Sequence, residues 1–99
     1  MFIITPELLQ TIGFKYDKFP DGFFWHITAS TDAEKVRLSK ALGMAEDVVE
    51  DIPDDVIIQT DDSLTDWQYV YGADVGPMTY KGVVECISYL AKELGVSNR

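Results

Sequence analysis

The segment DVIIQTDDSLTDWQYVYG, residues 55–72, decides the fold. Its first run, Val56-Ile57-Ile58-Gln59-Thr60, and its last, Trp67-Gln68-Tyr69-Val70-Tyr71, are rich in the β-branched and aromatic side chains that suit a pleated surface. Between them DDSLTD, residues 61–66, is polar and interrupts both runs. Two strands joined as a hairpin are expected, with a loop long enough to leave the register open. In the second strand Trp67, Tyr69 and Tyr71 project from one face.

Upstream, AEDVVEDI (residues 45–52) places Val48, Val49 and Ile52 at helical spacing and predicts a short helix. Pro53 disfavours helical dihedrals at Ile52 and ends it. Thr31-Asp32-Ala33-Glu34 is a capping box, followed by a helix through Val36, Leu38, Ala41 and Leu42 to Gly43, with Lys35, Arg37 and Lys40 outward. FKYDKFPDGFFWHITA, residues 14–29, is another hairpin signal. Two aromatic runs flank Pro20-Asp21-Gly22, with Phe23, Trp25 and Ile27 on one face and Phe24, His26 and Thr28 on the other. Large groups on both faces predict a strand covered on both sides. Thr5-Pro6-Glu7 opens a first helix of about two turns that ends at Gly13. Downstream, a last helix over 79–94 carries the stripe Val83, Val84, Ile87, Leu90, Ala91 and Leu94 before Gly95. The predicted fold is α+β: an antiparallel sheet of about four strands with helices mainly on one face, in the order α-ββ-α-α-ββ-α.

Ninety-nine residues make one domain, 1–99, and 46% apolar residues with five Phe, two Trp and five Tyr can fill a core. No apolar run approaches the roughly 20 residues needed to span a bilayer. The start MFIITPELL has no basic leader, so no signal peptide is expected. One cysteine, Cys86, cannot form an internal disulfide and fits a reducing compartment, so a cytoplasmic location is expected. Net charge is −9, from 17 acids against 8 bases. Such a surface repels phosphate backbones and anionic membranes, so neither nucleic acid nor membrane is an expected direct partner.

Catalytic patterns are not supported. His26 is the only histidine, and Cys86, beside a buried helical stripe, has no basic cluster to activate it. Zinc ligand spacing is absent. Asp61, Asp62 and Asp66 could face a hard cation, but the loop lacks the glycine and terminal glutamate of a calcium-binding EF-hand. YGADVGP has neither the spacing nor the lysine of a phosphate loop. No enzyme activity, metal or cofactor is expected. Trp25, Trp67, Tyr69 and Tyr71 could form a base-stacking platform, but such platforms come with positive charge. The aromatics are read as core or as a protein-binding face.

The distinctive feature is charge. Residues 45–66 hold nine carboxylates, Glu46, Asp47, Glu50, Asp51, Asp54, Asp55, Asp61, Asp62 and Asp66, and no base lies between Lys40 and Lys81. In a helix over 45–52, Glu46 and Glu50, and Asp47 and Asp51, are like-charged neighbours one turn apart, each pair costing about 0.2–0.5 kcal/mol. Stability gains little from this, so solubility or binding must account for it. As a binding feature it is a row of anions for a basic groove on a partner protein, with Trp67 or Tyr69 supplying short-range contact. The candidate partner-binding residues are those nine carboxylates with Trp67 and Tyr69.

The start TPELLQTIGFKYDKFPDGFFWHI, carried by Thr5, Pro6, Glu7, Leu8, Gly13 and Phe14, with the late helix YKGVVECISYLAKELGV, resembles small phage and mobile-element proteins. The resemblance implies a context rather than a mechanism: small acidic phage proteins often block a host enzyme, among them anti-restriction and anti-CRISPR inhibitors that look like DNA to their targets. The expectation is a non-enzymatic inhibitor or regulator that binds a protein with a basic surface. The alternative is a phage structural or assembly protein that self-associates through its aromatic strands.

Overall fold

In the computed structural model, residues 3–20, 22–44 and 48–95 are described. One antiparallel sheet holds five strands in chain order: β1 (Lys15–Tyr16), β2 (Trp25–Thr28), β3 (Val56–Thr60), β4 (Trp67–Tyr71) and β5 (Asp74–Pro77). Three helices accompany it: α1 (Pro6–Ile12), α2 (Asp32–Ala41) and α3 (Tyr80–Glu93). The α+β class and the antiparallel sheet are as expected. The strand number and the helix order are not.

β3 is the middle strand, and the pairing explains what it buries. Val56, Ile58 and Thr60 stand opposite Tyr71, Tyr69 and Trp67 of β4, and Ile58 and Thr60 stand opposite Ile27 and Trp25 of β2. Directly paired residues share a face, so these side chains form one surface. Val56, Ile58 and Thr60 are fully buried on it, under Leu9 and Ile12 of α1, Leu38 of α2, and Val83, Cys86, Ile87 and Leu90 of α3. The Thr60 hydroxyl stays satisfied by donating to the Asp66 carbonyl at 3.0 Å.

The opposite face carries Lys15, His26, Thr28, Ile57, Gln59, Gln68, Val70 and Val75, by the same registers. No helix covers it. Phe19 from the β1–β2 connection stacks on His26 at 3.8 Å, and Gln59 donates to Gln68 at 2.6 Å. The expected two-sided cover of β2 is therefore helices on one side and a single ring on the other.

Local signals account for the helices. Thr5 accepts from the Leu8 amide, Pro6 sits in the first turn, and Gly13 takes φ 113° at the end of α1. The capping box at Thr31 and Glu34 forms as expected. Thr79 caps α3 through the Gly82 amide. Its buried stripe is Val83, Cys86, Ile87, Leu90 and Ala91; Val84 is half-buried and Leu94 exposed, so Cys86 takes an inward place not assigned to it from sequence.

Two expectations are corrected. The helix over 45–52 is replaced by a 3₁₀ turn, Val49–Asp51, and Val48 before it is extended at φ −116°. Nucleation is costly for so short a segment, and acids crowd its C-terminal end against the helix dipole. Residues 45–47 lie outside the described residues. The second correction is β5, which makes five strands rather than about four. Tyr71 and Asp74 close a two-residue loop in which Gly72, but not Ala73, has positive φ, the arrangement of a type II′ hairpin turn. Pro77 is tolerated because β5 is an edge strand.

Gly72→Ala should lower unfolding free energy by about 1–2 kcal/mol in denaturant titrations, because φ is 64° and a Cβ would sit 2.9 Å from Pro53 Cβ. Gly43→Ala, at φ 75° with open space around it, should cost less.

Candidate partner-binding surface

β3 divides the expected acidic row. At its start, Glu50 and Asp51 lie in the 3₁₀ turn, and Asp54 and Asp55 lead directly into the strand. Asp74 joins them from β5, since Val56 pairs with Tyr71 and Tyr71 with Asp74. The Gly72 amide, donating to the Asp55 carbonyl at 2.8 Å, holds this end together. At the far end of β3 lie Asp61, Asp62 and Asp66. With the five residues of β3 between them, Asp55 and Asp61 are six steps of about 3.3 Å apart, which separates the two groups by about 20 Å. That exceeds the Debye length of about 8 Å at physiological salt, so each end acts as a separate patch. Glu46 and Asp47 lie outside the described residues.

Within the patches the carboxylates differ in what they already hold. Asp54 takes an ion pair from Lys35 at 2.7 Å. Hydrogen bonding to Lys35 keeps the Asp54 carboxyl below the usual range and raises Lys35. The pair is solvent-exposed at the Asp54 side, so it contributes little to stability. Asp61 is an internal brace: its carboxylate accepts from the amides of Thr65 and Asp66 and from the Thr65 hydroxyl at 2.9–3.3 Å. Partial burial would raise its pKa, but these donors outweigh that and hold it low. Asp62 accepts from the Tyr16 hydroxyl at 2.8 Å, and that bond raises Tyr16.

Glu50, Asp51, Asp55, Asp62, Asp66 and Asp74 are exposed and have no ion-pair partner among the described residues. All six come from the base-free interval between Lys40 and Lys81.

Trp67 and Tyr69 do not join either patch as outward anchors. Trp67 is buried, donates its indole N–H to the Leu64 carbonyl at 2.9 Å and meets Phe14 edge-on. Tyr69 is half-buried on the helix side, its ring against Gly76. Both belong to the surface that packs against the helices.

Sequence reasoning also missed the role of Arg37. Instead of standing in solvent it bridges elements, with Nη2 donating to the Ile12 carbonyl at 3.3 Å and Nε 2.6 Å from Glu93 Oε1. Its buried N–H is not directed at that oxygen, so the contact is one of charge more than of hydrogen bonding. Beyond the end of β1, a hollow of about 350 Å³ brings Lys15 and Arg37 together with Asp17 and Glu34, which offset their charge.

Cys86 and His26 lie on opposite sides of the sheet, Cys86 in the helix layer and His26 beneath Phe19. They cannot act as a pair. Burial pushes the Cys86 thiol up to about 12, against a smaller opposing effect of Arg37. Among the described residues no three acid, histidine or cysteine side chains gather as a metal site. Comparison with protein-family models, curated proteins and solved structures finds no match.

Two measurements check this description. Cys86 in the native protein should resist thiol reagents at pH 8 and react at the rate of global unfolding. Asp61→Ala should lower stability by about 1–2 kcal/mol, by leaving the Thr65 and Asp66 amides without their acceptor. The folded Asp61 pKa is depressed, so its contribution is full above the unfolded carboxylate value and lost as pH falls through the folded one. Thermal unfolding of Asp61→Ala should accordingly differ most from the parent at neutral pH and converge with it in acid.

Proposed function

We propose that this chain is a non-enzymatic binding protein of phage or mobile-element type, which inhibits or regulates a protein with a basic groove by occupying it as a nucleic acid would. The observation that carries the reading is the set of six exposed carboxylates, Glu50, Asp51, Asp55, Asp62, Asp66 and Asp74, that no described base neutralises. Apart from the Tyr16 hydroxyl bond to Asp62, the described residues give these carboxylates no internal partner that offsets their charge, and net charge far from zero repels itself. A cationic partner gains both encounter rate and register from them.

The division into two patches refines the partner. It would present basic residues at two places about 20 Å apart rather than one continuous stripe. Asp54 contributes less, because Lys35 already holds it. Asp61 contributes as the brace that fixes the loop bearing Asp62 and Asp66.

A second reading, self-association in a phage structure or assembly, draws support from the uncovered sheet face, where Val75 is 56% exposed and Phe19 43%. It would run through Ile57, Val70 and Val75, because Trp67, Tyr69 and Tyr71 face the helices. Concentration-dependent size that is insensitive to salt would select this reading.

The main reading is tested by reversing Glu50, Asp51, Asp54 and Asp55 to lysine together. These side chains are exposed, so the fold should survive, as circular dichroism would verify. A partner retained by the parent at low salt and released at high salt should not be retained by the variant. Retention with unchanged affinity would remove this end of the molecule from the mechanism.

A further inference from the structure

At the Asp61–Asp66 end lies a hollow of about 490 Å³ whose wall is mostly apolar, with Ile3, Leu64, Trp67, Met78 and Val83 beside the polar groups of Thr65 and Tyr80. Trp67 and Val83 form its buried floor. Its rim is wet, with Ile3 49% and Tyr80 80% exposed. The fold does not require that exposure, because Tyr80 sits in the first turn of α3 and packs against nothing in the core.

One wall is held in an unfavourable conformation. Leu64 has φ 59° and is the only non-glycine with positive φ among the described residues. A branched side chain is disfavoured there, whereas glycine or asparagine would sit without strain. The conformation is imposed from both sides: the Leu64 amide donates to the Asp61 carbonyl, the Leu64 carbonyl accepts from Trp67, and the Asp61 carboxylate ties down the next two amides. Strain maintained this way commonly marks a binding site, and here it places a leucine on the wall of the hollow.

The same loop sets the charge of the visitor. Asp62 and Asp66 are each two residues from Leu64, within about 7 Å along the chain, and both are exposed. Among the described residues no lysine or arginine lines the hollow.

We infer that this hollow receives a large apolar side chain of a partner segment whose neighbouring residues are lysine or arginine. This rests on the basic-partner reading and supplies its short-range contact, with the apolar group against Leu64, Trp67 and Val83 and the flanking cations at Asp62 and Asp66. Apolar anchors of this kind dominate protein interfaces when set in a pocket ringed by polar groups. Other occupants fit less well. A second copy brings a net charge of −9 against the same carboxylates, and an anionic lipid surface is repelled likewise. A free small molecule would leave much of its surface in water at so open a rim, where ligand sites usually enclose most of the ligand.

The test uses the end-blocked peptide KKLFKK against the isotopically labelled full chain, followed by amide and indole NMR shifts. Saturable shifts at Leu64, Thr65, the Trp67 indole and Tyr80 are expected. The dissociation constant should rise about tenfold for KKAAKK, and about tenfold for Tyr80→Ser or Leu64→Gly. Tyr80→Ser leaves the core untouched because Tyr80 is exposed. Leu64→Gly relieves the positive-φ strain but gives up a half-buried side chain packed on the core, so its fold is verified by circular dichroism and the Tyr80 variant carries the test if it unfolds. Equal shifts for KKLFKK and KKAAKK, confined to the acidic residues, would overturn the hollow while leaving the acidic reading standing. Absence of shifts with either peptide would overturn both. Equal binding of EELFEE would overturn the cationic requirement. Shifts at the same residues on raising protein concentration without peptide would overturn the partner in favour of a second copy.

Discussion

The arrangement depends on β3 burying one row of side chains completely. Val56, Ile58 and Thr60 have no exposed surface, and helices α1, α2 and α3 all close over the face they help form. At about 25 cal/mol per Å² of apolar surface removed from water, a central strand so enclosed between two hydrogen-bonded neighbours is the costliest element to open. Because the helices are spent on that side, the other side of the sheet is left with Phe19, an amide pair and a few aliphatic groups. Because β3 must stay in the middle, the acids that precede and follow it in sequence are sent to opposite ends of the sheet.

That separation gives the carboxylates different roles. Asp61 faces into its own loop and is consumed by local amides. Asp54 is held by Lys35, a residue from the preceding helix. Those left over point into solvent at two places, and the apolar hollow opens at one of them. Charge and an apolar hollow are thus combined at the Asp61–Asp66 end, whereas the Asp54–Asp55 end offers charge with single exposed valines, Val48 and Val75, beside it. A partner that meets both ends would be aligned by the first contact and gripped by the second.

Much of the fold was legible in the residues. The capping box at Thr31 and Glu34, the Thr5-Pro6 start and the glycine at position 13 act locally, and local signals survive into the structure unchanged. The pairing of the runs around 15–28 and 56–71 followed from alternation and β-branching. β5 was hidden because Gly76 and Pro77 look like loop residues; only the Gly72-Ala73 turn marked it, and a type II′ turn is a weak signal beside Asn-Gly. The helix over 45–52 had the right apolar spacing, but spacing does not overcome the cost of nucleation in a short acidic segment ahead of Pro53. For the site, sequence identified which carboxylates lack bases nearby in the chain. It could not show Lys35 reaching Asp54 or Trp67 turning inward, since each depends on residues brought together by the fold. Nor could it show Asp61 folding back on Thr65, which is local but depends on the conformation of a loop whose register the residues left open.

Native-state amide hydrogen exchange tests the role of β3 most directly. Amides of Val56–Thr60 and of the inward stripe of α3 should exchange only with global unfolding, at the free energy found by denaturant titration, while the edge strand β5 opens more cheaply. Exchange of the β3 amides through a smaller opening, with β5 still protected, would contradict the account.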